Sequence, residues 1–314
     1  MKDFLKNTVK TTVFNRSYNT NNGCAVAVGG FDGIHLGHRA MLSRLVSEAR
    51  KRGLFSAVFT FDSDDSPKIG AKSLALQEKK LEIFKSLGID AVYSVGFSEL
   101  RNISAEDFAV RLLYGAINSR LIVCGYDFRF GKDRAGDVSL IESMLSQKGV
   151  EVITETAVEY LGEPISSTKI RRLISEGRVD EANSLLGRPF SFSGEVVHGR
   201  KLGRTLSFPT LNQIYPESLS RLRFGVYAVE CVIDGEVYGG VANFGVKPTV
   251  GINEPVCETN VFDFSADCYG KIIEIRFIAF IREETRFSSL LELKNQIEKD
   301  KEKAKTLLKR STQL

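Results

Sequence analysis

The chain has 314 residues, too many for one ordinary core and suited to two domains of about 150 residues each. Hydrophobic residues make up 43% and charged residues 26%, which excludes a disordered or fibrous chain. The formal charge of +4 is too small a surplus on this length for a nucleic-acid platform, so no nucleic-acid partner is expected.

Five widely spaced cysteines (Cys24, Cys124, Cys231, Cys257, Cys268) without a CxxC pair point to reduced, mostly buried thiols and a cytoplasmic location. Lysines interrupt the apolar residues of the first fourteen positions, which argues against a signal peptide. No apolar run reaches the length of a membrane span, so no membrane partner is expected. There are three histidines, His35, His38 and His198, and two of them lie three residues apart.

In chain order, CAVAVGGF reads as a buried strand and LGHRAMLSRLVSEARKRG as a helix with Met41, Leu42, Leu45, Val46 and Ala49 on one face. LFSAVFTF is a strand, EKKLEIFKSLG a helix with Leu81, Phe84 and Leu87 at three-residue steps, and AVYSVGF a strand. Ser104 to Asp107 fits an N-terminal cap for a helix carrying Phe108, Leu112 and Leu113. LIVCG, VSLIESMLSQKG and VEVITET continue as strand, helix and strand. This alternation implies a doubly wound, parallel α/β sheet.

Gly187 ends a helical pattern and Pro189 prevents its continuation, which places a domain boundary between residues 1–186 and 187–314. Beyond it, SFSGEVVHG, GVYAVECVIDGEVYGGVANFG, CETNVFDF and KIIEIRFIAFI are strand-like, with Asp234-Gly235 as a hairpin signal. A charged terminal helix follows, with Leu290, Leu293 and Ile297 as its packing face. Many short strands and one helix suggest a small, mostly antiparallel β-barrel with a C-terminal helix.

GGFDGIHLGH (29–38) lies between a predicted strand and a predicted helix, where open parallel sheets bind ligands. Glycines let the backbone approach phosphate oxygens, helix amides favour the anion, and imidazoles donate hydrogen bonds. It is neither a GxGxxG fingerprint nor a Walker A loop. In ISSTKIRRLISEG (165–177), Ser166, Ser167 and Thr168 at a helix start, with Arg171 one turn in, form a second anion site.

The first segment resembles the HxGH signature of adenylyl-transferring enzymes. More narrowly, it is similar to the FAD synthetase module of bacterial bifunctional riboflavin kinase/FMN adenylyltransferases. The resemblance implies catalytic roles for His35 and His38. It also implies ATP or phosphate contacts at Gly29, Phe31, Asp32, Gly33, Gly37, Ser166, Ser167, Thr168 and Arg171. CGYDFRFGKDRAGD (124–137) resembles that family's flavin- and nucleotide-contacting loop, which points to Asp127, Phe128 and Arg129. This module departs from the family in two places: Gly30 stands where Asn is usual, and TFDSDDSPK (60–68) where a Pro-His-Pro stretch is usual. Asp62, Asp64 and Asp65 of that stretch could hold Mg²⁺, be solvated or weaken adenylyl transfer; solvation is the expectation.

Residues 186–212, GVANFGVKPTV (240–250), CETNVFDFSADCYGK (257–271) and RFSSLLELKNQIEKD (286–300) resemble the riboflavin kinase module in order. The resemblance places the catalytic carboxylate at Glu258 and the Mg²⁺–ATP ligands at Thr210 and Asn212. Gly199, Gly203 and Arg204 lie in a basic loop suited to closing over phosphates. Strand alternation puts Asp263 on the opposite face from Glu258 and turns Leu211 away from the site.

The implied substrates are riboflavin, FMN and ATP, with Mg²⁺ accompanying the nucleotide. The alternatives are a chain that keeps only the kinase, and a non-enzymatic flavin- or nucleotide-binding regulator.

Overall fold

Cys24–Val28 is buried at every position, which is the signature of a strand covered on both faces. It is β2 of a six-stranded sheet, together with β1 (Val9–Val13), β3 (Phe55–Phe61), β4 (Ala91–Val95), β5 (Ser119–Gly125) and β6 (Glu151–Glu155). The order is β1-β4-β3-β2-β5-β6; every pair is parallel except β1 with β4. Helices α1 (Leu36–Arg52), α2 (Gln77–Ser86) and α3 (Val138–Leu145) connect these strands, as does a helix at Asp107–Ala116. Consecutive strands run outward from β2 towards β4 and then reverse to β5. The crevice between the carboxyl ends of β2 and β5 is therefore the topological switch point, where such sheets bind ligands.

The computed structural model describes residues 9–15, 22–62, 72–198, 210–246 and 254–311. The chain separates into two units, Met1–Ser167 and Thr168–Leu314. Two apolar clusters fill the first. One holds α1 residues Leu42, Leu45 and Val46 with Phe31 and Ile34; the other gathers Phe59, Phe108 and Leu112 on the opposite face.

A short hairpin, β7 (Glu159–Tyr160) and β8 (Glu163–Pro164), precedes helices α4 (Ser167–Ser175) and α5 (Val179–Leu186). Gly187 caps α5 with left-handed backbone at φ 66°, as its sequence position predicts. Asn183 ties α5 to the second sheet by donating to the Phe277 carbonyl at 2.8 Å and accepting from the Phe190 amide at 2.7 Å.

The second unit holds β9 (Phe190–Glu195), β10 (Leu211–Ile214), β11 (Gly225–Ile233), β12 (Glu236–Val246), β13 (Pro255–Val261) and β14 (Ile272–Arg282). All pair antiparallel in the order β10-β13-β12-β11-β14-β9. The sheet curls so that Val197, just past β9, bridges Asn212 on β10. Buried Gln213 reinforces the closure, its amide donating to the Gly194 and Ile273 carbonyls at 2.7 and 2.8 Å. Asp234 and Gly235, both at positive φ, form the expected two-residue turn between β11 and β12. Helix α6 (Leu290–Ser311) covers one face of this sheet.

On α2 the inward face runs through Lys80, Ile83 and Phe84, and Leu81 and Leu87 pack half-buried against the same core, as expected. Three other local expectations are corrected. Leu290 is 68% exposed; α6 instead packs through Ala304, Leu307 and Leu308. The helix at Asp107–Ala116 is wound with i to i+5 hydrogen bonds, although its Ser104 cap on the Asp107 amide is as expected. Asp263 lies past the end of β13 in a turn at φ 54°, so strand alternation does not reach it. The strand β1 has no counterpart in the sequence reading.

Candidate active sites

The Gly-rich turn leaves β2 at the switch point under backbone strain. Phe31, Gly33 and Ile34 have φ of 45°, 76° and 43°. For a β-branched residue such as Ile34 this is rare, and strain of this kind costs about 1–3 kcal/mol per residue unless its surroundings impose it. Burial imposes it here: Phe31 and Ile34 are 1% and 0% exposed in the core beneath α1. Two apolar anchors thus clamp the turn, and its backbone amides are fixed at the sheet's carboxyl edge. Gly29 and Gly37 fit because a Cβ would press on the Phe31 and His35 rings at 3.3 Å, whereas a Cβ at Gly30 would meet open space.

His35 caps α1: its Nδ1 accepts from the His38 amide at 3.4 Å. That bond leaves the proton on Nε2, which is the donor available to a ligand. The two rings stack with centroids 3.7 Å apart, and His38 also meets the edge of Phe31. Burial pulls His35 down to about 4 and, with His35 and Lys80 as neighbours, holds His38 well below the ordinary histidine range. Both imidazoles are therefore neutral donors at pH 7. His38 Nδ1 is buried without a hydrogen-bond partner, an orphan that a bound ligand would satisfy.

Asp32 fastens the turn to its surroundings. Its carboxylate accepts from the Leu74 amide at 2.8 Å, and its carbonyl accepts from the Ser167 hydroxyl at 3.1 Å. The second bond joins the Gly-rich turn to the first residue of α4. Ser166 and Thr168 flank Ser167 and are exposed, and Arg171 is half-buried one turn along. On the other side of the crevice, Asp127, Phe128 and Arg129 follow β5. Phe128 stacks on Phe130 at 5.5 Å, while Asp127 and Arg129 are exposed. Asp62 is not solvated as expected: it is half-buried, pairs with Lys10 at 3.2 Å and has a buried, unpartnered Oδ1. Asp64 and Asp65 lie outside the described residues.

In the second unit, strand register builds the site. Asn212 on β10, Glu258 on β13 and Asn243 on β12 are directly opposed neighbours, so their side chains share one face. Leu211 instead opposes buried Thr259 and faces the other way, as alternation predicts. Thr210 directly precedes β10, and its carbonyl accepts from the Asn212 amide group at 3.3 Å. Asn243 donates to Glu284 at 3.2 Å. The row continues through Val226 to Arg282, whose guanidinium grips Asp300 of α6 with bonds of 2.7 to 3.0 Å.

Beside Arg282 lies an open cleft of about 580 Å³, lined among others by Thr285, Phe287, Glu292, Asn295 and Gln296. Gly199, Gly203 and Arg204 lie outside the described residues, and His198 is exposed against Tyr269. The sequence reading missed Asn243, Glu284 and Lys80. A lysine at helical spacing from Ile83 and Phe84 was the signal for the last; the first two required strand pairing.

A family model described as FAD synthetase matches residues 17–169, and one described as riboflavin kinase matches residues 186–308. The chain is 38% identical over 295 residues to the bifunctional riboflavin kinase/FMN adenylyltransferase of Escherichia coli (strain K12), covering 92% of this chain and 94% of that protein. It is 37% identical over 288 residues to the protein of the same description from Bacillus subtilis (strain 168), covering 89% and 90%. A crystal structure described as a macrolide-efflux protein from Streptococcus pneumoniae covers 96% of both chains at a TM-score of 0.82 and 31% identity. No helix among the described residues of this chain is long and apolar enough to cross a membrane.

Proposed function

Because the chain belongs to the bifunctional riboflavin kinase/FMN adenylyltransferase family, we propose that its two folded units divide two reactions between them. The enzyme phosphorylates riboflavin with ATP to FMN, then transfers an adenylyl group from a second ATP to FMN, giving FAD and pyrophosphate. Both family models match, so the kinase-only alternative has no support. The riboflavin kinase model begins at residue 186, which supports a division there, whereas packing groups Thr168 to Leu186 with the barrel.

Adenylyl transfer belongs to the switch-point crevice. Its nucleophile is the FMN phosphate, already an anion, so no base is required. The site's task is to align two polyanions and spread charge on the α-phosphoryl group and the departing pyrophosphate. Neutral His35 and His38 donate hydrogen bonds to phosphate oxygens. The amides of the strained turn and Ser166 add further donors. Asp127, Phe128 and Arg129 border the flavin nucleotide.

Riboflavin phosphorylation has a neutral alcohol as nucleophile, and Glu258 is its base. Thr210 and Asn212 present neutral oxygens, which suits a hard cation whose remaining ligands come from nucleotide phosphates and water. Mg²⁺ held there would neutralise charge on the transferring phosphoryl group. No cluster of three or more His, Cys, Asp or Glu occurs among the described residues, so the donor set fits a nucleotide-borne cation rather than a protein cage. The cleft beside Arg282, with Phe287 on its wall, takes the isoalloxazine. Five buried free thiols fit a reducing, cytoplasmic setting.

The observation that carries the reading is the row Asn212–Glu258–Asn243, which aligns the proposed metal ligand, the base and the approach to the cleft. Incubation of the purified protein with riboflavin and Mg-ATP, followed by separation of the flavins, should yield FMN and then FAD. Absence of both products would refute it.

A further inference from the structure

Lys80 is 3% exposed on the inward face of α2. Its Nζ donates to the carbonyl of Phe61, the last residue of β3, at 3.1 Å. The charged and titratable groups around it come from four elements: Asp32 of the turn after β2, Asp62 just past β3, His38 of α1, and Lys10 of β1 through its pair with Asp62. Two orphaned buried atoms, His38 Nδ1 and Asp62 Oδ1, belong to the same group.

A buried ammonium is costly to dehydrate and persists only where opposite charge offsets it. Burial draws Lys80 down to about 8, while Asp32 and Asp62 pull it up, so it remains mostly charged at pH 7. Those two carboxylates border the crevice that must accept a polyphosphate. Left alone they would repel it, since like charges brought together across a contact are unfavourable.

We propose that Lys80 is a positioning residue of adenylyl transfer, whose ammonium neutralises Asp32 and Asp62 beside the Gly-rich turn so that this edge of the sheet admits the phosphates of ATP. The proposal rests on the placement of the adenylyl site at that turn. Lys80 acts through the two carboxylates and holds the end of β3 in place; it does not itself touch the reacting phosphorus.

The test is a double-mutant cycle read in steady-state FAD synthesis from supplied FMN and Mg-ATP, with riboflavin phosphorylation by the same samples as the control for folding. In Lys80→Met the KM for ATP should rise by about tenfold or more, with a smaller change in kcat and an unchanged kinase reaction. Adding Asp62→Asn should bring that KM back to within about threefold of wild type, and Lys80→Arg should stay close to wild type.

An unchanged KM in Lys80→Met, or a double variant no better than the single one, would overturn the proposal. If Lys80→Met does not fold, Asp62→Asn alone decides: the KM for ATP should fall by about two- to threefold, and no change or a rise would contradict the role. His38→Ala distinguishes a misplaced adenylyl site from a failed role of Lys80. If it leaves FAD synthesis intact, the site has been misplaced; if it abolishes FAD synthesis while Lys80→Met has no effect, only the role of Lys80 fails.

Discussion

Under the proposed function, the histidines of the Gly-rich turn and the glutamate of the barrel do opposite kinds of work. His35 and His38 are buried and neutral, which makes them directional donors to an incoming anion. Glu258 is half-buried between two asparagines, which leaves it in reach of solvent and is what the proposed base requires. The burial of His35 has a consequence for stability. Its pKa in the fold, about 4, lies below the ordinary value of 6.5, so the unfolded chain takes up the proton first as pH falls. Stability present above about pH 6.5 should therefore decline towards pH 4, and His35→Gln should flatten that slope in thermal melts across this range. An equal slope in the variant would show that His35 is not buried in its neutral form. At Gly30 a Cβ would meet open space, so Gly30→Asn should leave the melting temperature within about 2 °C of wild type.

Among the elements, the strained turn depends on its two apolar anchors. Phe31→Ala should cost about 3–5 kcal/mol by denaturant unfolding and weaken FAD synthesis beyond that loss, because the turn's amides lose their clamp. A variant with normal FAD kinetics in its folded fraction would mean that the turn does not need the clamp. On the barrel, Asn243→Leu should slow riboflavin phosphorylation by about tenfold or more, since Glu258 and Glu284 would lose the amide between them.

How far each element was legible in the sequence follows from the range of its interactions. Cys24–Val28, Leu36–Arg52 and the Asp234-Gly235 turn are dictated by local pattern, and they fold as that pattern requires. The motif residues His35, His38, Asp32 and Ser167 do come together, but the bond from Ser167 to Asp32 spans 135 positions and no local signal encodes it. Asn243 and Glu284 were invisible for the same reason: register across β12 and β13 sets Asn243 opposite Glu258, and the bond from Asn243 to Glu284, just past β14, spans 41 positions. Leu290 misled because a heptad-like leucine at a helix start counts as core in sequence, although the first turn of α6 extends past the sheet into solvent. Asp62 misled because its partner Lys10 sits on β1, an edge strand the periodicity did not mark.

For the whole molecule, the proposed function requires that two sites on two architectures act in sequence and that each can be removed without the other. The Gly-rich turn and the barrel row share no residue, and each is built from its own sheet. The most direct measurement is flavin separation after incubation of wild type, Glu258→Gln and His38→Ala with Mg-ATP and either riboflavin or FMN. Wild type should convert riboflavin to FMN and FAD. Glu258→Gln should lose FMN formation by about a hundredfold or more yet still make FAD from supplied FMN, and His38→Ala should accumulate FMN and make little FAD. Loss of both reactions in either folded variant would contradict the account.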